Sequence, residues 1–307
     1  MAANVAILLC TYNSAPFLPQ QLASYVVQTH GEWSLHVNDD GSSDRTLALL
    51  EQFREGYPER QVVVHRGPGK GFVHNFLNLA CRPDLRAQYY AFSDHDDVWY
   101  SDKLARAVAA LADIPTHLPA LYCSSSELID ERGAHVGYSQ RFSKQPGFAN
   151  ALVQSIAGGN TMVFNEAARQ LLVTAGETQA VPSHDWWLYQ LVSGAGGIVR
   201  YDPEPTLAYR QHASNVVGCN RGFFASCHRI RYLMTGRFRH WNSMNCASLA
   251  QAQAILTPEN RRIVENFSQA RAAWLPSRLL GLRRTGIYRQ TRLGNLGLIV
   301  AAFINRM

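Results

Sequence analysis

No apolar run in this 307-residue sequence can cross a bilayer. The longest near the C-terminus, Leu296 to Ile304, has nine residues, against about 20 for a spanning helix. Cysteine is sparse: Cys10, Cys81, Cys123, Cys219, Cys227 and Cys246 form no CxxC pair and no zinc spacing, so they read as free thiols of a reducing compartment. The apolar start, Val5 to Cys10, has no basic residue before it and no small-residue cleavage site after it. It reads as a buried first strand of a cytoplasmic protein. Internal repeats and low-complexity tracts are missing, and a composition of 47% hydrophobic and 17% charged residues excludes disordered and fibrous classes. Acidic residues become scarce toward one end. Residues 200–307 carry 16 Lys/Arg against 4 Asp/Glu, a net of +12, whereas residues 1–199 carry 13 against 19, a net of −6. The overall +6 therefore belongs to the last third.

The first 200 residues alternate strand-like with helix-like runs, the pattern of an α/β sheet built from crossovers. Strands are expected at Val5–Cys10, Trp33–Asp39, Gln61–His65, Gln88–Ser93 and Leu121–Ser124. Helical spacing follows Pro16 (Leu18, Leu22, Val26), a Ser43/Asp44 cap (Leu47, Leu50), Gly71 (Phe72, Phe76, Leu79) and Ser101 (Leu104, Val108, Leu111). Past about residue 220 the chain reads as helices punctuated by Pro258, Pro276, Gly281 and Gly294, with a boundary near Gly218 to Gly222. The expected division is 1–220 and 221–307.

Chemistry gathers at the strand ends, where ligands collect in such sheets. Asp94-His95-Asp96-Asp97 places three carboxylates within four residues. Like charges so close raise one another's pKa unless a cation neutralises them, and hard oxygen ligands suit Mg²⁺ or Mn²⁺; the plain alternative is a solvated acidic turn before a helix. Asp39-Asp40-Gly41-Ser42-Ser43-Asp44 is a second acidic strand end, and either of its first two carboxylates can accept from a pyrimidine imide N–H. Gly69-Lys70-Gly71 opens a helix that carries Asn75. Its amides and lysine can hold a phosphate, although the GKS/GKT ending of a P-loop is missing. Ser183-His184-Asp185-Trp186-Trp187 is either an N-cap followed by core aromatics or a general base beside aromatic platforms for a sugar. Tyr209-Arg210-Gln211-His212-Ala213-Ser214-Asn215 offers a His to complete a metal shell, or to grip a diphosphate alongside Arg210.

Taken in order, Leu8 to Asn13, Asn38 to Asp44, Gly71 to Phe76, Phe92 to Trp99, His184 to Trp187 and Tyr209 to His212 resemble the family 2 glycosyltransferases. Within that family they are most similar to the bacterial rhamnosyltransferases of lipopolysaccharide core and O-antigen assembly. The resemblance spans residues 5 to about 218. It implies a GT-A fold, a mixed and mostly parallel sheet flanked by helices, here with a C-terminal helical extension. It further implies a nucleotide-sugar donor such as dTDP-L-rhamnose, a glycan acceptor that can be lipid-linked, a divalent metal and an inverting mechanism. By resemblance Thr11, Tyr12 and Asn13 line the nucleotide pocket, Asp40 reads the base, Asp94 touches the ribose or metal side, Asp96 binds the ion, His212 contacts the diphosphate or the metal, and Asp185 is the catalytic base. Many relatives carry Gln or Ala where His95 stands, so an extra imidazole adjoins the metal side.

Two other classes were weighed on the sequence. A nucleotidyltransferase would show a Gly-rich loop with Arg and Lys right after the first strand, where this chain has Thr11-Tyr12-Asn13-Ser14. A nucleic-acid binder is suggested by the pI near 9.1 and by Tyr232, Phe238 and Trp241 among the basic residues of the tail, but the acidic first 200 residues count against it. The tail suggests instead peripheral contact with the inner face of an anionic membrane, through Arg278, Arg283, Arg284, Arg289 and Arg292 beside the apolar Leu293–Ile304.

Overall fold

The computed structural model describes residues 3–212 and 236–307. In chain order its first elements are β1 (Val5–Thr11), α1 (Leu18–Val26), β2 (Trp33–Asp39), α2 (Thr46–Gly56), β3 (Val62–Arg66), α3 (Phe72–Ala80), β4 (Tyr89–Ser93), β5 (Val98–Trp99), α4 (Lys103–Leu111) and β6 (Ala120–Ile129). There follow β7 (His135–Tyr138), α5 (Phe148–Ala151), β8 (Val163–Asn165), α6 (Glu166–Ala175), α7 (His184–Gly194) and β9 (Ile198–Arg210). The last four are α8 (Arg237–Gln251), α9 (Pro258–Ala272), α10 (Leu275–Arg284) and α11 (Arg292–Phe303).

All seven residues of β1 are buried, because the strand is apolar on both faces and both are covered. Val5, Ile7 and Leu9 join a cluster with Leu18, Tyr25, Leu50 and Leu104 from α1, α2 and α4. Ala6, Leu8 and Cys10 face the opposite layer, with Phe76 of α3 and Trp187 and Leu188 of α7. The strand order is β3-β2-β1-β4-β8-β6-β9-β5, with β7 on β6. The long ladders, β1–β2, β1–β4, β2–β3 and β6–β9, are parallel; the antiparallel ones, such as β4–β8 and β5–β9, run for two or three residue pairs. The chain winds outward from β1 to β3, then returns to place β4 on the other side of β1. That reversal opens a crevice at the carboxyl ends of β1 and β4, where open α/β sheets bind ligands.

The five expected strands are all present, and the last runs on to Ile129. β9 has no counterpart in the sequence reading because Asp202-Pro203-Glu204-Pro205 interrupts its pattern. Register shifts between Ser124 and Glu127 of β6 let it pair with β9 past both prolines. In the tail Pro258 and Pro276 open helices as expected, whereas Gly281 and Gly294 lie inside α10 and α11. A Cβ at Gly281 would stand 2.7 Å from Ala270 Cβ, so this glycine serves the close approach of α10 to α9.

The tail is not a detached module. Leu249, Leu256, Phe267, Leu298 and Ala301 share one apolar cluster with Phe148, Trp187 and Leu188. The boundary region Gly218 to Gly222, the cysteines Cys219 and Cys227, Tyr232, and Ala213, Ser214 and Asn215 lie outside the described residues. Among the described residues no helix is long and apolar enough to cross a membrane.

Candidate active site

The β1–α1 and β2–α2 loops are stitched together by short polar side chains. Asn13, at φ +48°, donates its amide to Ser42 Oγ (2.8 Å) and accepts from the Ser43 amide (2.9 Å). Thr11 Oγ1 donates to Asp39 Oδ2 (2.8 Å), and Asp39 also accepts from the Gly41 and Ser42 amides and from Ser42 Oγ. A carboxylate has about four acceptor positions, so Asp39 is fully engaged in shaping the loop. A nucleotide base contact at Asp39 would share the carboxylate with these donors. Tyr12 by contrast projects outward, 60% exposed, at the mouth of the crevice.

Asp40 accepts from the Gly69 amide (2.6 Å) and the Gly71 amide (2.9 Å). The amides expected to hold a phosphate thus already hold an anion from the chain itself, because both glycines adopt positive φ and turn their N–H groups toward β2. Lys70 between them remains exposed. Asn75 is buried below the loop, its Nδ2 donating to the Asn38 carbonyl (3.0 Å), which anchors α3 to β2.

The acidic segment after β4 is not a solvated turn. Asp96 and Asp97 are buried. Asp97 accepts from Asn160 Nδ2 (2.6 Å) and the Arg210 amide (3.3 Å), and burial followed by repulsion from Asp96 and Asp94 raises it well above the carboxylate range. Lys103, fully buried over the Trp99 ring, donates to the Asn160 carbonyl (2.7 Å); burial pushes it down to about 7. Asp94 is pushed up to about 8 by burial first, then by the charges of Asp96 and Asp185. Burial also lowers His95, which stands within reach of the charges on Asp96 and His212.

Asp96 Oδ2 meets His212 Nε2 at 2.6 Å, and the imidazole stacks on Phe17 at 5.1 Å. Among the described residues no three His, Cys, Asp or Glu side chains are grouped closely enough to hold a metal ion. A carboxylate and an imidazole nevertheless fit a divalent ion as the protein's share, because Mg²⁺ and Mn²⁺ sites commonly take their remaining ligands from substrate phosphates and water. Arg210 was expected at the diphosphate. It is 1% exposed, and its guanidinium reaches the carbonyls of Asp96 (3.0 Å) and Glu131 (3.0 Å), and Gln20 Oε1 (2.5 Å). Burial requires those donors to be satisfied internally, which makes Arg210 a brace beneath the acidic loop.

Asp185 lies in the first turn of α7, behind the N-cap Ser183. Its Oδ2 accepts from the Gly159 amide (3.0 Å); Oδ1 accepts from the Trp186 amide (2.5 Å) and from Ser183 Oγ. Three of about four acceptor positions are thereby fixed, leaving one for an incoming donor. The neighbouring tryptophans are core, 6% and 0% exposed, with Trp186 Nε1 donating to the Ala151 carbonyl, so the sugar-platform alternative fails. His184 stacks on Phe76 at 3.9 Å and meets Phe92 edge-on at 4.8 Å, and burial lowers it to about 4.

Gly159, Asn160, Phe17 and Gln20 were not singled out from the sequence, since each acts through a partner at least 26 positions away. A Cβ at Gly159 would stand 2.5 Å from His184 Nε2, and the ring is clamped by Phe76 and Phe92. Gly159→Ala should therefore cost about 1–3 kcal/mol through overpacking. An unchanged denaturation midpoint would refute this packing.

The chain is 27% identical over 279 residues to the dTDP-rhamnosyl transferase RfbG of Shigella flexneri, an alignment covering 87% of this chain and 93% of the relative. Its structure is similar to that of a mannosyltransferase of Pyrobaculum calidifontis solved with GDP-Man and Mn²⁺ (TM-score 0.51, 19% identity, 100% of this chain and 86% of that one). It is also similar to Staphylococcus aureus TarS 1-349 with UDP (TM-score 0.55, 15% identity, 99% and 88%). These likenesses identify the fold as GT-A. Residues 6–172, more than half of the sequence, match the profile of Glycosyl transferase family 2, and the chain belongs to that family.

Proposed function

We propose that this chain transfers L-rhamnose from dTDP-L-rhamnose to a hydroxyl of a cell-surface glycan, such as lipopolysaccharide core or O-antigen, with inversion at the anomeric carbon. The observation that carries the reading is that adjacent residues tie the start of α7 to the acidic segment after β4: the Gly159 amide donates to Asp185 Oδ2 (3.0 Å) and Asn160 Nδ2 donates to Asp97 (2.6 Å). The rhamnosyl label is supported by the Shigella relative and by the ordered motifs.

In this reading the exposed Tyr12 ring covers the base, Thr11 and Asn13 shape its pocket, and Asp40 uses its remaining acceptor capacity on the thymine imide. Lys70 offers a charge to the diphosphate. Asp96 and His212 hold the divalent ion, which when bound would offset charge on the diphosphate. Asp185 takes the proton of the acceptor hydroxyl as its oxygen bonds to the anomeric carbon, while the bond from that carbon to the phosphate oxygen breaks and dTDP leaves with the electron pair. One attacking oxygen and one carboxylate suffice, unlike the paired carboxylates of a glycosidase.

A donor panel tests the assignment. In the presence of divalent metal, dTDP-L-rhamnose should raise the melting temperature and be consumed faster than UDP-glucose or UDP-galactose. Preferential consumption of a UDP-hexose would overturn the rhamnosyl label while leaving glycosyl transfer intact.

A further inference from the structure

Large apolar side chains are unevenly exposed over this molecule. Trp274, Leu279, Leu280, Leu293, Leu296, Ile299, Val300, Phe303 and Ile304 are all exposed, and all lie on α10, α11 or at their ends. The values reach 72% at Trp274 and 80% at Leu293. α11 buries Leu298, Ala301 and Ala302 against the protein and turns Leu293, Leu296, Val300 and Phe303 outward. A helix apolar on both sides needs a second apolar phase on the outside.

Charge selects that phase. From residue 266 to the C-terminus there is no Asp or Glu, while seven arginines are present. Arg283, Arg284, Arg292 and Arg306 are exposed. Arg278 and Arg289, counted from the sequence among the surface arginines, are instead engaged within the fold. Arg278 donates to the carbonyls of Ala302 (3.0 Å) and Ala273 (2.7 Å), tying α10 to α11; Arg289 reaches the Val153 carbonyl and packs on Phe238. The helix pair is thereby braced internally, with its outward apolar residues and four arginines presented together.

We infer that α10 and α11 seat the protein on the surface of an anionic bilayer. Leu293, Leu296, Ile299 and Phe303 enter the acyl boundary, Trp274 lies at headgroup level, and the arginines engage lipid phosphates. The absence of carboxylates from residues 266–307 distinguishes α10 and α11 from a self-association patch, where two copies of these helices would bring arginines against arginines. The inference does not depend on the donor assignment, since vesicle binding is read without donor.

Co-sedimentation of the full chain with phosphatidylglycerol-containing and pure phosphatidylcholine vesicles tests it. Binding should require the anionic lipid and weaken as salt rises. Arg283→Gln/Arg284→Gln should lower the partition coefficient by about five-fold per charge removed, on the order of 25-fold in all. Leu296→Glu/Ile299→Glu should abolish binding while leaving the melting temperature unchanged, because both side chains are exposed. Full-length protein that stays in the supernatant with anionic vesicles at low salt would overturn the inference. So would a concentration-dependent dimer that Leu296→Glu/Ile299→Glu dissociates in the absence of any vesicle binding.

Discussion

Asp185→Asn should lower kcat by roughly 10²–10⁴-fold, the usual scale for loss of a general base, with donor affinity unchanged within about threefold. The carboxylate is held by three donors, the Gly159 and Trp186 amides and Ser183 Oγ. An asparagine can present its oxygen to one side of that set but must turn an N–H₂ toward a donor on the other. A local cost of about 1–3 kcal/mol in stability is therefore expected from the unsatisfied group, well short of unfolding. Donor titration and a thermal melt run beside the kinetics separate the two effects. Near-normal turnover in a variant that binds donor would move the base role to another carboxylate.

Asp96→Asn should suppress turnover further, on the order of 10³-fold or more, because in the proposed mechanism it removes the charged oxygen ligand of the divalent ion, whose assistance to such reactions contributes several kcal/mol. The amide oxygen can still accept from His212, now 2.6 Å from Asp96 Oδ2, so the local fold should persist. Excess chelator should reproduce the loss in the wild type, and added Mn²⁺ or Mg²⁺ should reverse it. Full activity in excess EDTA would remove the metal from the mechanism.

Both variants touch residues that the sequence singles out, Asp185 at a helix start and Asp96 at a strand end, and for the strand ends the reason is physical. Polar clusters that directly follow buried apolar strands stand out against them. Thr11, Asp39–Asp40 and Asp94–Asp97 end or follow strands whose apolar runs (β1, β4) or apolar alternation (β2) can be read directly, so both strands and strand ends are legible. What each polar residue does there was less legible, because hydrogen-bond supply comes from distant segments. Asp39 is taken up by Thr11 and the Gly41–Ser42 amides, Asp40 by the Gly69 and Gly71 amides, and Arg210 by carbonyls of the acidic loop and the β6–β7 turn. An arginine or aspartate that organises a site carries the same letter as one that touches substrate; its partners tell them apart, as the backbone carbonyls around the Arg210 guanidinium do. The same limit applies to β9, whose prolines conceal a 13-residue strand until the β6 register shifts are seen. It applies again to the tail, where basic residues evident in the sequence divide into internal braces and surface charges only once α10 and α11 are packed.

Inversion is the most direct test of the account, because a single displacement assisted by one carboxylate leaves only one stereochemical outcome. The anomeric configuration of the transferred sugar, read by NMR on product formed with any acceptor that supports turnover, should be opposite to that of the donor. A retained configuration would contradict the single displacement and the role assigned to Asp185.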